Sequence, residues 1–319
     1  RPLGPTCGRA AGRPGRPCEA YGVVKPASVA FVALGVIWGS NFIFMKWATE
    51  TISAGQVTLL RVLFGFVPVM AYALHRRVLA RRHLRHAHHF FVMSLLATTV
   101  YYFAFAAGTA LLPSGVAGVL SGAIPLFTFI SAAIFLRSER VTPLRLVGVL
   151  IGFGGVLLTA RPWETGGGVD PVGVLYMLLG AASVGVSFVY ARKFVSPLAI
   201  APAALTTYQV GLALLTLLLV TDLDGVTALT QDTRATVGVV LGLGLLGTGV
   251  AYILYYFIVA TLGAVTASSA TYIPPVVALV IGWLLVDEPL HLLDGVAVLL
   301  ILSGVAVLRV PQRQTLPRT

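Results

Sequence analysis

Apolar residues in this chain do not alternate with polar ones. They gather into ten nearly continuous runs separated by short polar segments: Val29–Thr49, Ala54–Leu74, Phe90–Ala110, Gly115–Leu136, Pro143–Ala160, Pro171–Ala191, Ala201–Thr221, Ala235–Ile258, Gly263–Val286 and Leu292–Arg309. Each is roughly 18–24 residues long, and about 20 apolar residues cross the hydrocarbon core as a helix. A transmembrane barrel would show a period of two instead. The pattern predicts an all-α membrane protein with ten transmembrane helices and little chain left for a soluble domain.

The few landmarks inside these runs occur twice. Ile124-Pro125 is followed by Ser138-Glu139, and Ile273-Pro274 by Asp287-Glu288. An offset of 149 residues aligns both sets without a gap and carries Gly155-Val156 onto Gly304-Val305. This predicts two copies, residues 25–161 (helices 1–5) and 171–310 (helices 6–10), with short tails at 1–24 and 311–319. Five helices is an odd number, so the second copy enters the membrane upside down. The result is two inverted five-helix repeats around a central site, an arrangement typical of transporters. Residues 1–22, rich in Arg, Pro and Gly, read as a disordered cytoplasmic tail or as translated sequence upstream of the true start.

Composition agrees: 57% of residues are hydrophobic, 10% are charged, and the mean hydropathy is +0.92. A soluble domain carries about 25% charged residues. The net charge of +11 is a topology signal more than a nucleic-acid footprint. Arg76, Arg77, Arg81, Arg82 and Arg85 fall in one loop, Arg137, Arg140 and Arg145 in the next but one, and Arg192 and Lys193 in a third on the same side. The opposite side holds only Lys46, Arg161 and Arg234, together with nearly all the acids. Basic residues mark the cytoplasmic side, so both termini are expected there. Cys7 and Cys18 both precede the first run, which excludes a core disulfide or thiolate metal site. The five histidines of the 75–89 loop, set among arginines, read as a headgroup-facing topology loop rather than a metal site.

Polar side chains inside the runs are the candidates for function. Asn41 lies about halfway along the first, where an unpaired amide would cost several kcal/mol. It must either bond a neighbouring helix or face a wet cavity. Arg61 is the one charge well inside a span, roughly 10 Å deep by helical rise. It can snorkel outward, pair with Glu50, or attract an anion. Lys46 and Glu50, spaced i, i+4, can pair with each other. Tyr101 and Tyr102 lie too deep for an interfacial belt; Ser121, Gln209, Tyr252, Tyr256, Thr271 and Tyr272 complete the candidate substrate-binding set. Pro125, Pro274 and Pro275 predict helix kinks or breaks and are candidate hinges.

The Trp38-Gly39-Ser40-Asn41-Phe42 opening, the paired Ile-Pro steps, Glu139 and Glu288, and the glycine-valine ends at 154–156 and 303–305 resemble the EamA family of the drug/metabolite transporter superfamily. The likeness covers residues 27–310. It implies a cavity lined by helices 1, 3, 4, 6, 8 and 9 and transport of small metabolites, often export of amino acids or related compounds. One departure is Ser187-Phe188 where a second Trp-Gly opening would stand.

These observations lead us to expect a carrier of the cytoplasmic (inner) membrane working by alternating access. Its partners would be a small-molecule substrate and the lipid bilayer, with a homodimer as the assembly to test. No catalytic residue, metal, cofactor or nucleic acid is expected. No HExxH, GxSxG or intramembrane acid pair suggests an enzyme. A non-transporting sensor or scaffold is the competing reading, although neither tail is long enough for an output domain. No Asp or Glu lies deep in a span, which argues for facilitated or exchange transport over proton coupling.

Overall fold

The computed structural model describes residues 20–136, 142–161, 163, 169–262 and 269–308. All regular structure among them is helical. Eight helical stretches are long and apolar enough to cross a membrane: α1 (Ala20–Thr49), α2 (Ala54–His75), α3 (Arg81–Leu111), α4 (Ser114–Phe135), α5 (Pro143–Ala160), α6 (Pro171–Leu198), α7 (Pro202–Val220) and α8 (Thr233–Leu262). Two shorter apolar helices follow, α9 (Ala270–Val286) and α10 (Leu292–Leu308). The expected start of the ninth run, the tails before residue 20 and after 308, and Glu139 lie outside the described residues. Leu150, Leu219, Leu284 and Leu299 stand exposed on the rim, the arrangement of a helical bundle in lipid.

Local chemistry sets the helix starts. Pro143, Pro171 and Pro202 occupy first turns, where a missing N–H costs nothing. The even-numbered helices all receive a polar cap. Ser53 and Gln56 form a capping box on α2. Asp170 caps α6 and Asp232 caps α8. Asp294, in the first turn of α10, accepts from His291 N at 3.1 Å. The cap of α4 comes from far along the chain: Glu288, just beyond α9, accepts from Ser114 N, Ser114 Oγ and Gly115 N at 2.6, 2.8 and 2.8 Å. A carboxylate there satisfies orphan donors and complements the helix dipole.

Two helices are broken where the prolines predicted. α4 is interrupted at Gly122-Ala123, and Pro125 opens the next turn. In α9, Ser269–Tyr272 form a tight turn before Pro274 and Pro275 start the longer segment. Pro274 and Pro275 are buried and Pro125 is half-buried.

Packing pairs the two halves of the chain. α5 lies against α10, α4 against α9, and α2 against α7. α3 packs on α6 and α7 as α8 packs on α1 and α2, and α4 meets α6 as α9 meets α1. The α5–α10 seam is the closest. A Cβ on Gly148 would stand 2.8 Å from Gly304 O, and one on Gly304 would stand 2.6 Å from Gly152 N. Small residues let helix backbones touch in a membrane, where dispersion replaces the hydrophobic effect between helices. Gly154 faces open space instead. A buried ion pair pins one end of this seam, with Arg161 Nη2 donating to Asp294 Oδ1 at 2.6 Å.

Gly304→Val should therefore destabilise the protein by about 1–3 kcal/mol or more through overpacking, while Gly154→Val should be nearly silent. Thermal unfolding in detergent compares the two; equal effects would contradict the seam.

Candidate functional site

The polar residues of the first copy converge where α1, α2, α3 and α8 meet. Arg61 is 4% exposed and turns neither to Glu50 nor to the membrane surface. Its Nε donates to Thr248 Oγ1 on α8 at 3.2 Å, and Nη1 lies 4.0 Å from Met45 Sδ on α1. Its guanidinium carbon sits 3.8 Å from the centre of the Tyr102 ring on α3. With the Asn41 amide oriented to satisfy both neighbours, Nδ2 donates to Ile37 O and Oδ1 accepts from Arg61 Nη2, each at 3.2 Å. Asn41 thus bonds across helices, the first of the two readings, and its partner is the buried cation. No carboxylate among the described residues pairs with Arg61.

Glycines on α8 make the convergence geometrically feasible. A side chain at Gly247 would collide with the Asn41 amide, and one at Gly249 with Pro68. A Cβ at Gly65 on α2 would lie 2.5 Å from Thr248 Cγ2. This part of α8, Gly238–Val250, is wound as a π-helix. Thr248 Oγ1 donates five residues back, to Leu243 O at 2.9 Å. Wide π turns are uncommon and often mark functional places.

A neutral counterpart lies elsewhere in the bundle. Leu95–Thr99 of α3 is also π-helical, and the 149-residue offset carries it onto residues 244–248 of α8. Gln209 on α7 donates Nε2 to Thr98 Oγ1 at 2.8 Å. Arg61 to Thr248 and Gln209 to Thr98 are therefore the same kind of bond, one from α2 to the π segment of α8 and the other from α7 to the π segment of α3. They are one residue out of step.

Aromatic rings extend the site in both directions. Tyr101 lies 4.9 Å from Tyr102 and 4.6 Å from Phe105, which reaches Phe42 at 6.0 Å between ring centres. On the other side Tyr252 packs with Tyr102, Tyr256 follows at 6.3 Å, Tyr255 at 6.0 Å from that, and Trp38 at 6.2 Å from Tyr255. Phe42, Met45 and Phe105 are buried, whereas Tyr101, Tyr252, Tyr255 and Tyr256 keep accessible faces.

Other candidates lie elsewhere. Ser121 bonds its own helix, to Gly118 O at 2.6 Å. Tyr272 packs against the large core formed by α1, α4 and α9, and Thr271 adjoins it at the α9 break. Lys46 does not pair with Glu50; its Nζ donates to Ala110 O near the end of α3 at 3.2 Å, where a helix C-terminus offers a carbonyl without an intrahelical partner. In the histidine loop, His89 Nδ1 lies 2.8 Å from Tyr190 OH and His83 packs edge-on against Tyr208. Thr248 and Met45 escaped the sequence reading. Only the repeat offset, followed through Thr99, could have singled out Thr248.

Thr248→Val keeps shape but leaves Arg61 Nε without its acceptor, at a cost of about 1–3 kcal/mol; Thr98→Val releases neutral Gln209 and should cost about 0.5–1.5 kcal/mol. Unfolding in detergent should rank them in that order, and the reverse order would contradict the central role of Arg61.

Comparison with known proteins agrees with this architecture. The EamA-like transporter family matches residues 25–161 and 171–310. The chain is 25% identical to an uncharacterized transporter of Archaeoglobus fulgidus over 275 residues, 85% of this chain and 94% of that protein. It is also 25% identical to the uncharacterized inner membrane transporter YedA of Escherichia coli over 285 residues, 88% of this chain and 90% of YedA. A crystal structure superposes with a TM-score of 0.57 at 22% identity, covering 89% of this chain and 96% of the other. The chain is a multi-pass membrane protein and belongs to the EamA-like transporter family, within the drug/metabolite transporter superfamily.

Proposed function

We propose that the protein carries small organic metabolites across the cytoplasmic membrane by alternating access, with amino acids and related compounds as first candidates and export as the direction. The observation that carries this reading is the buried Arg61–Asn41–Thr248–Tyr102 cluster at the meeting of both copies. A polar cluster at such depth is costly to bury, and intramembrane charges usually mark solute paths.

In this proposal ten helices form two inverted repeats, and the matched packing of α3 on α6 and α8 on α1 supports it. Asn41, Arg61, Tyr101, Tyr102, Gln209, Tyr252 and Tyr256 contact substrate, with Trp38 at the end of the ring track. Ser121, Thr271 and Tyr272 join only when the α4 and α9 breaks move. Pro125, Pro274 and Pro275 are the hinges, because a helix break needs no backbone hydrogen bond to be ruptured. The conformer described is closed at the Glu288 end, where Phe42, Met45 and Phe105 are buried, and looser around Tyr252 and Tyr256. We place the Glu288 end outside and both termini in the cytoplasm on the strength of the arginine distribution. We also take the protein to be no enzyme, and a homodimer to be the assembly to test first.

Three measurements bear on this. In proteoliposomes, wild-type protein should exchange a member of a metabolite panel, and Asn41→Ala should lower the flux at least about ten-fold if a buried bond of about 1.4 kcal/mol is lost from the transport cycle; flux unchanged in that variant would remove the site from the path. Flux should persist without an imposed proton gradient, and strict dependence on one would refute uncoupled transport. After Cys7→Ser and Cys18→Ser, an impermeant maleimide should label Thr227→Cys but not Arg82→Cys on intact cells; the opposite pattern would invert the topology.

A further inference from the structure

We infer that the recognised charge of the substrate is a carboxylate or similar planar anion bound by Arg61, and that an amino group on the substrate is dispensable. The inference rests on the transport site proposed above and deepens it.

A guanidinium has five N–H donors and keeps its charge when buried. Around Arg61 the described residues supply neutral acceptors alone: the Thr248 hydroxyl, the Asn41 amide and the Met45 thioether, with the Tyr102 ring against one face. By donor count one N–H on each of Nη1 and Nη2 is left over, and an Nη1–Nη2 pair is a fork able to match a carboxylate. Burying a charge without a counter-charge is expensive, so a bound anion is the natural completion. The counterpart position of the other copy carries neutral Gln209 on Thr98, which gives the pair of copies one cationic subsite, not two. For an ammonium the surroundings offer no acid: among the described residues no Asp or Glu reaches the Arg61 cluster. The neighbouring walls are the rings of Tyr101, Tyr252 and Tyr256 and the apolar side chains of Leu59, Val62 and Val210. Such walls suit the apolar body of an organic acid.

Charge balance adds a consequence. With no Asp or Glu among the described residues of the cluster to carry a compensating proton, and the tyrosines Tyr101, Tyr102 and Tyr252 protonated at neutral pH, each anion crosses with its charge. A potential of 100 mV then shifts its equilibrium distribution about fifty-fold, outward across a membrane that is negative inside. Export follows from the charge of the cargo.

The test uses matched probes on the purified full chain: 3-phenylpropionate, 3-phenylpropionamide and phenethylamine, with hexanoate, hexanamide and hexylamine as a second series. Thermal stabilisation in detergent should appear with the acids and be at least about ten-fold weaker in apparent affinity with the amides and amines. Arg61→Gln should abolish the preference, and Arg61→Lys, which keeps the charge without the fork, should retain part of it. Should Arg61→Gln not fold, the acid-against-amide comparison on wild type decides alone. Absence of a preference for the acids in both series overturns the inference. In proteoliposomes a valinomycin-imposed potential should drive acid flux toward the positive side. Acid binding without any flux would refute the transport reading and leave the anion site standing. Flux of amines or amides independent of potential would refute the anion site and leave transport standing.

Discussion

A guanidinium buried in the helical bundle, with no carboxylate beside it among the described residues, is the constraint from which the rest of this structure can be understood. Arg61 of α2 can occupy its place because three other helices bring neutral groups to it at once: α1 through Asn41 and Met45, α8 through Thr248, and α3 through the face of Tyr102. None of these contacts is strong alone. Together they distribute the charge over an amide, a hydroxyl, a thioether and a ring, each of which interacts with it more strongly in a low dielectric than in water. The helices must then approach closely, which is why α8 carries glycine at 242, 244, 247 and 249 and meets Phe44, Phe64, Asn41 and Pro68 with no side chain between.

The membrane-spanning helices were legible in the sequence because they are written in composition. Continuous apolar runs need no periodicity to be recognised; proline is a weaker signal, since the helices break next to Pro125 and Pro274 but run through Pro26 and Pro68. The site was legible in its deep polar residues, Asn41, Arg61 and Gln209, since hydrocarbon makes every such residue conspicuous. Their partners were not. Thr98 and Thr248 look like ordinary helix threonines that bond their own backbone; what sets them apart is the π winding around them, and that depends on tertiary packing. Lys46 was misassigned to Glu50 because i, i+4 spacing says nothing about a helix end brought alongside from elsewhere in the chain.

The unequal distribution of acids has a cause separate from that of the arginines. Basic residues follow topology, but acids contribute little to that rule. Here they follow helix polarity. Every even-numbered helix begins at the acid-rich end, and Glu288, Asp170, Asp232 and Asp294 each satisfy amides at one of those beginnings. Antiparallel helices joined by short loops place alternate N-termini on one face, so capping alone would concentrate acids there.

Glu288 differs from the other acidic caps because the helix it caps is remote from it in the chain. It leaves the end of α9 and closes the start of α4, the two helices that are broken by proline. Two strong acceptor bonds to backbone amides and one to Ser114 Oγ make this junction stiff. The breaks at Gly122-Ala123 and Ser269–Tyr272 interrupt the regular α-helical winding of the same two helices. In the proposed carrier, stiffness at one end and a break midway would let α4 and α9 act as jointed elements. Arg61 is held instead by the continuous helices α1, α2, α3 and α8. A candidate binding group fixed in continuous helices, next to a pair of jointed ones, is what the proposed alternating exposure of one site to two sides would require.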